Sequence, residues 1–325
     1  MRGLVVVVAL ALAVFLALRP AHSETPGLRQ ASAVAPAAAP VAAAAAVAPP
    51  PAAPAPPSAP RRVVIISEDG LRPDALSEEL TPRHAALMRE GATARLAETI
   101  HESDTLPSHA SMLSGVGAAA HGLYWNSYKK DLGFIHVPTI FSIARANGLS
   151  TAMFVGKPKL RHIALPGSVD VFERPSYLCG GVSKRAAAYF TASKPDLMFV
   201  HFSDPDEYGH AKGWMSPEYL KGVHNSDRCL ATLLAAIDAS GLGDSTLVIV
   251  TADHGGHGKK HSGGRAIVDR EIPWIARGPG VTPGSSLDVP ILTVDTAATT
   301  LSALSLPPPP DMIGAARLTF TKAVR

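Results

Sequence analysis

The sequence predicts an α/β domain built on a mostly parallel central sheet with helices on both faces. Two observations carry that prediction. Short apolar runs rich in β-branched residues, at residues 63–66 (VVII), 196–202 (DLMFVHF) and 245–250 (STLVIV), alternate along the chain with amphipathic segments of helical period. Each of these runs opens at its carboxyl end onto a polar cluster: Ser67-Glu68-Asp69-Gly70, then Asp204-Pro205-Asp206-Glu207-Tyr208-Gly209-His210, then Thr251-Ala252-Asp253-His254-Gly255. Strands joined through helices form parallel sheets, and ligands of such sheets gather beyond the carboxyl ends of the strands. The three clusters are therefore expected to meet on one edge.

Taken in order, the first strand is expected at residues 63–66. Thr81-Pro82, ahead of an amphipathic stretch closed by Gly91, carries helix start and stop signals, with Thr81 as cap and Pro82 at the first position. Residues 93–100 read as another strand, leading to Ser103-Asp104-Thr105-Leu106-Pro107-Ser108-His109 and a short helix that runs to Leu113 and ends at Gly115. Thr105 is expected in the loop just ahead of that helix. A clear helix starts at Pro138 and closes at Gly148, and residues 150–155 follow as a strand. Residues 183–193 are helical in pattern, residues 196–202 form a strand, and Ser216-Pro217-Glu218 opens a long helix to about Ser240. Strands at 245–250 and 272–276 (IPWIA) and a final helix at 294–306 complete the alternation.

The domain so defined spans residues 61–325. Ahead of it, Met1-Arg2, the apolar run 4–18 and Ala21-His22-Ser23 read as a secretory signal peptide over residues 1–23. An uncleaved membrane anchor is the alternative, although the run is short for a bilayer span, which needs about 20 residues. Residues 24–60, dominated by Ala, Pro and Val, lack the varied apolar surface needed to offset ordering and read as a disordered linker. Lys and Arg total 30 against 27 Asp and Glu, and setting aside Arg2 and Arg19 brings the balance close to neutral. That excludes a protein that coats nucleic acid. Cys179 and Cys229 are the only cysteines; in an exported chain they are either one disulfide or two isolated thiols.

The densest chemistry lies in residues 251–261, TADHGGHGKKH, where Asp253, His254, His257 and His261 follow a buried-strand pattern. Asp206 and His210, four residues apart, suit one divalent ion if they share a helical turn or a tight loop. With Asp69 these residues supply enough Asp and His ligands for two zinc-like ions, the usual arrangement for displacement at phosphorus. Thr105 is the candidate nucleophile, since N–H groups at the start of the following helix face a bound anion.

At this point the ordered motifs, Ser67-Glu68-Asp69-Gly70, Thr105-Leu106-Pro107-Ser108-His109, His121-Gly122 with Asn126, Pro205-Asp206 with Gly209-His210, and Thr251-Ala252-Asp253-His254-Gly255, resemble the nucleotide pyrophosphatase/phosphodiesterase branch of the alkaline phosphatase superfamily. The resemblance implies a single alkaline-phosphatase-like catalytic domain with two divalent metal ions, zinc by that analogy. It implies that Asp206, His210 and His261 hold one ion, and that Asp69, Asp253 and His254 hold the other with Thr105 completing its coordination. His261 rather than His257 follows from the family's spacing to Gly278-Pro279. It further implies that Thr105 forms a phosphothreonine intermediate while Asn126 and the Leu106 N–H bind a non-bridging phosphate oxygen.

Two positions depart from the family. Asp104 stands where nucleotide-cleaving members often carry a basic residue, and Ser108 stands where they have Asn; an acidic residue there repels an extended polyphosphate. The Cys-x-Pro-x-Arg element of sulfatases is missing. The expectation is thus an exported, secreted or periplasmic phosphoric ester hydrolase of phosphodiesterase type acting on a small-molecule ester. Alternatives are a phosphomonoesterase, a membrane-tethered phospho-group transferase, or a non-catalytic phosphate-binding protein. Trp125, Tyr124, Tyr128, Lys157, Tyr208 and Trp214 are pocket candidates, Tyr208 first among them. His109, His121 and His257 read as supporting or structural residues.

Overall fold

The computed structural model of the chain describes residues 60–261, 263 and 265–320. The expected signal segment (1–23) and the Ala/Pro-rich stretch up to residue 59 lie outside them. The chain opens with β1 (Arg62–Glu68), α1 (Pro82–Glu90), β2 (Ala92–Ala94), β3 (Ala97–Glu98), α2 (Thr105–Ser114), α3 (Ala118–His121) and α4 (Ile140–Ala146). It continues with β4 (Thr151–Val155), β5 (Val171–Glu173), α5 (Cys179–Ser193), β6 (Leu197–Phe202), α6 (Asp204–Lys212) and α7 (Pro217–Ala239). It closes with β7 (Thr246–Thr251), α8 (Ile267–Arg270), β8 (Trp274–Arg277), β9 (Ser285–Leu287), β10 (Ile291–Leu292) and α9 (Asp295–Ala303).

Eight strands form one sheet in the order β5-β4-β6-β1-β7-β8-β2-β9, and β3 pairs with β10 apart from it. All pairs in the large sheet are parallel except those of β8, which runs antiparallel to both β7 and β2. The mostly parallel sheet is as expected. Among its described residues the connection from β7 to β8 carries the four-residue α8 and no crossover helix along the sheet, and β8 returns antiparallel. The single strand expected at 93–100 is instead two: a bend at Arg95 and Leu96 carries the chain from β2, next to the edge strand of the large sheet, to β3, which pairs with β10.

Side-chain alternation divides the core in two. Val63 and Ile65 face a layer containing Leu106 and Leu113 of α2, Ile140 and Phe141 of α4 and Leu301 of α9. Val64 and Ile66 face Leu87 of α1, Phe190 of α5 and Leu230 and Leu233 of α7. Each large side chain so buried contributes about 1.5–3 kcal/mol. β1 is apolar on both faces, and its register is held by its pairing with β6 on one side and β7 on the other.

That register positions the site. Ser67 pairs with His201 of β6 and with Thr251 of β7, and His201 pairs with Val155 of β4. Four adjacent strands therefore end on one row, and the residues that follow, from Lys157, Asp69, Asp206 and Asp253, emerge side by side.

Two cross-links hold the helices behind this edge. Cys179, the first residue of α5, is disulfide-bonded to Cys229 of α7. On the α1 side, Thr81 does not cap its helix: its hydroxyl bonds the Ser77 carbonyl, and Asp227 of α7 accepts the Arg83 and His84 N–H groups instead. The Asp227 carboxylate accepts from two orphan donors, and such charge-assisted bonds are stronger than those to a neutral hydroxyl. The buried His84 ring then sits between Asp227 Oδ1 at 2.8 Å and Glu68 Oε1 at 2.9 Å, joining α7, α1 and the end of β1.

The disulfide closes a loop between residues 50 apart, for which chain entropy gives roughly 4 kcal/mol of stabilisation. A Cys229→Ser variant is expected to show a lower urea midpoint by that order, with no further fall on adding reductant. Burial lowers the His84 pKa, but Glu68 and Asp227 outweigh it and raise it to about 9. A folded pKa above the unfolded value of about 6.5 means that this contribution is complete below about pH 6.5 and is lost as pH rises through about 9. The stability deficit of His84→Gln, on the order of 3 kcal/mol at pH 6, should therefore shrink in denaturant titrations at pH 9 to 10.

Candidate active site

Beyond the carboxyl row, Asp69, Asp253 and His254 place one ligand atom each within 4.8 Å of one another, and Asp206, His210 and His261 do the same. Asp69 follows β1, and Asp253 and His254 follow β7. Asp206 and His210 share one face of α6, the helical alternative of the two that their spacing allowed. The groups adjoin: His254 Nε2 lies 3.3 Å from Asp69 Oδ1 and 3.9 Å from Asp206 Oδ1, and the His254 and His261 rings stack at 3.7 Å. Gly70 makes this closeness possible. It adopts φ 71°, a Cβ there would lie 2.9 Å from Asp206 Cα, and the Asp206 N–H donates to the Asp69 carbonyl at 2.9 Å.

Each ligand is fixed from behind. The Nδ1 atoms of His254, His261 and His210 bond the carbonyls of Gly255, Ser103 and Lys259, at 2.8, 2.6 and 3.0 Å. A carbonyl only accepts, so each Nδ1 carries a proton and each Nε2 faces the centre. Asp253 Oδ1 accepts from the N–H groups of Gly70 and His254, and Asp69 Oδ2 accepts from His201 Nε2 at 2.9 Å. The buried Lys157 ammonium bonds Asp69 Oδ2 and Asp206 Oδ2, one carboxylate from each group. Burial lowers its pKa, but the two carboxylates more than offset this and hold it well above its usual value.

What remains facing inward is Asp69 Oδ1, Asp206 Oδ1, Asp253 Oδ2 and His254 Nε2, all buried and none with a hydrogen-bond partner. Unsatisfied buried acceptors of one sign are costly unless a cation sits among them. The titration shifts have the same origin. Burial, with Asp69 opposite, lifts Asp253 to about 7, and burial lowers His254 but the facing carboxylates outweigh it and lift it to about 9. Both express an excess of negative charge that divalent cations would neutralise, so the donor set fits metal ions.

Thr105 is the first residue of α2 rather than part of the preceding loop, and it is buried. Its segment is tied to both ligand loops: the Ser103 hydroxyl donates to the His261 carbonyl at 2.6 Å, and the Ser108 hydroxyl to the Asp253 carbonyl at 2.7 Å. Asn126 meets the start of α2, but with its oxygen: Oδ1 accepts the Leu106 N–H at 3.1 Å, while Nδ2 donates to Asp104 Oδ1 at 3.3 Å. Of the two donors expected to point together at a phosphate oxygen, the Leu106 N–H is here bonded to the Asn126 oxygen and the Asn126 amide N–H to Asp104.

The aromatic candidates separate. Tyr208 packs against Gly222 of α7, and Trp214 lies edge-on to His210 and His261 with its Nε1 donating to the Gly70 carbonyl. Trp214 thus backs the ligands. Trp125 and Tyr128 flank His162, and Tyr124 and Tyr128 are exposed on the loop that carries Asn126. His109 bonds Ser67 and the Thr105 carbonyl, and His121 bonds Ser111. His257 bonds Asp269 instead of joining either ligand group. His201, Ser103 and Lys159 escaped sequence reasoning. A histidine inside the apolar run of β6 was the one visible signal.

The model of the type I phosphodiesterase/nucleotide pyrophosphatase family matches residues 63–260, which is more than half of the chain and includes the four strand ends. The chain belongs to that family. The family is metal-dependent. Human ectonucleotide pyrophosphatase/phosphodiesterase family member 7 is 25% identical over 218 residues, covering 60% of this chain and 47% of the relative. The Xenopus laevis bis(5'-adenosyl)-triphosphatase of the family is 23% identical over 212 residues, with the same coverages of 60% and 47%. The chain thus matches about half the length of these relatives. Murine ectonucleotide pyrophosphatase/phosphodiesterase 5, solved as an inactive variant with AMP, superposes with a TM-score of 0.66 at 16% identity, covering 77% of this chain and 96% of that one. A sulfatase-like structure from Bacteroides thetaiotaomicron gives 0.67 at 16% identity, covering 80% and 74%. Both likenesses establish the alkaline-phosphatase-like fold.

The placement of the two histidines gives a direct comparison. His261→Ala should lose at least about tenfold in metal affinity, measured by elemental analysis after dialysis against buffered zinc, whereas His257→Ala should stay within about twofold of the parent. The reverse order would remove His261 from the ligand set.

Proposed function

We propose that the chain is an exported phosphoric ester hydrolase of phosphodiesterase type that works with two divalent metal ions, zinc by its Asp and His donors, and with Thr105 as nucleophile. The observation that carries this reading is the pair of inward-facing ligand groups, left with unpartnered buried acceptors, beside a threonine at the first position of a helix. Asp206, His210 and His261 would hold one ion and Asp69, Asp253 and His254, with Thr105, the other; bound there, the ions supply Lewis-acid charge that acidifies a hydroxyl and stabilises anionic oxygens.

The remaining steps belong to the chain. Thr105 Oγ1 attacks phosphorus, the new O–P bond forms as the ester O–P bond breaks, and the alcohol departs. Water then cleaves the phosphothreonine and releases phosphate or a phosphomonoester. The start of α2 directs N–H groups, Leu106 among them, toward charge on the transferring group. Ser103 and Ser108 keep Thr105 in register with both ligand loops, so its hydroxyl is positioned before substrate arrives. Export is supported by the signal-like residues 1–23 and by the Cys179–Cys229 disulfide, which belongs in an oxidising compartment. Among the described residues no helix is long and apolar enough to cross a membrane.

The test is a panel of nitrophenyl phosphate, bis(nitrophenyl) phosphate, a nucleotide nitrophenyl ester and nitrophenyl sulfate on zinc-loaded protein. Phosphate esters should turn over and the sulfate should not. Thr105→Ala should lower kcat by at least about 10³-fold with metal content and Tm retained. A Thr105→Ala protein of full activity would overturn the nucleophile, and a wild type inert on every ester would leave a binding protein.

A further inference from the structure

Lys159 Nζ donates to Asn126 Oδ1 at 2.9 Å, the same atom that accepts the Leu106 N–H at 3.1 Å. Two donors from separate parts of the chain, one a full cation and one at the first turn of α2, thus converge on one oxygen. Asp104 fixes the amide in this sense, because Nδ2 must donate toward the carboxylate and Oδ1 is turned inward. The amide oxygen marks a point where an anionic oxygen would be received better than a neutral one.

The charge at that point is not spent elsewhere. Lys157 is neutralised by Asp69 and Asp206, whereas the hydrogen-bond partner of the half-buried Lys159 is a neutral amide, and among the described residues no carboxylate lies within ion-pairing distance of it. Burial and the adjacent Lys157 charge lower the Lys159 pKa more than the surrounding Asp69, Asp206 and Asp253 charges raise it, as expected for an ammonium held partly away from water with no directly paired carboxylate. The site therefore has, in Lys159, one cation that no described carboxylate pairs directly.

We propose that Lys159 is a substrate-binding residue that donates, with the Leu106 N–H, to a non-bridging phosphoryl oxygen that displaces Asn126 Oδ1 from these two donors, and that its charge contributes more to binding phosphoryl groups bearing two negative charges, those of phosphomonoesters, than to binding singly charged diesters. The inference rests on the reading of the site as a phosphoric ester hydrolase centre. It adds the donor that the inward-turned Asn126 oxygen cannot be, and it offsets the acidic Asp104 beside the nucleophile.

Lys159→Met and Lys159→Arg are compared with the parent as zinc-loaded proteins of verified metal content and Tm, with Lys159→Gln as substitute where the Met variant does not fold. Lys159→Met should lower kcat/KM for nitrophenyl phosphate at least about 30-fold and for bis(nitrophenyl) phosphate less than about threefold, with Arg recovering most of the loss. Equal losses on both esters, or none, would overturn the proposal. Calorimetric titration with inorganic phosphate separates it from the hydrolase reading: Lys159→Met should weaken Kd at least about tenfold. A wild type that binds phosphate through Lys159 yet cleaves no ester would sink the hydrolase reading alone. Phosphate bound equally by both proteins, or by neither, would sink the role of Lys159.

Discussion

One buried ammonium holds the two halves of the site together. Lys157 bonds the outer oxygen of Asp69 and the outer oxygen of Asp206, and thereby turns the inner oxygen of each toward the histidines. Without it, two buried carboxylates from different ligand groups would repel each other in a low-dielectric interior. The strand row makes this arrangement reachable: Lys157 follows β4, Asp69 follows β1 and Asp206 follows β6, three neighbours in the sheet whose ends are level. The sheet's register is thus expressed as a charge distribution.

The same edge is braced from both helical layers. On one side His84 links Glu68, the residue before Asp69, to Asp227 of α7, and the disulfide ties α7 to α5. The Cys179 N–H at the start of α5 donates to Asp204, which opens the helix carrying Asp206 and His210. On the other side the serines of the Thr105 segment reach the two ligand loops. Buried polar groups of this kind add little net stability in isolation, but a network in which each member is satisfied fixes one geometry. Among the atoms left without a partner are Asp69 Oδ1, Asp206 Oδ1, Asp253 Oδ2 and His254 Nε2, which face the centre of the site.

Much of this was legible in the sequence because it depends on short-range pattern. The apolar runs of β1, β6 and β7 and the polar clusters after them fixed the sheet and placed Asp69, Asp206 and Asp253 on one edge. Ser216 caps α7 as its Ser-Pro-Glu context implied. Partnerships across long separations were not legible. Nothing local tells that Asp227 rather than Thr81 caps α1, since the carboxylate arrives from 144 residues away. Asn126 is assigned only by the family resemblance, and its orientation is decided by Asp104 and Lys159, whose approach carries no periodic signal in the sequence. Tyr208 and Trp214 look like pocket residues in the sequence because they flank ligands, yet α6 directs the first onto α7, and Trp214 packs behind the histidines.

Gly70 has a wider consequence. The interval between the two ligand groups is set where the Asp206 N–H meets the Asp69 carbonyl, with no Cβ at Gly70 to hold the backbones apart. It is a main-chain dimension, a ruler cut into the peptide backbone. Side chains on the loop around Asn126 and after β4 can then be exchanged while the distance between the two groups of Asp and His side chains stays constant.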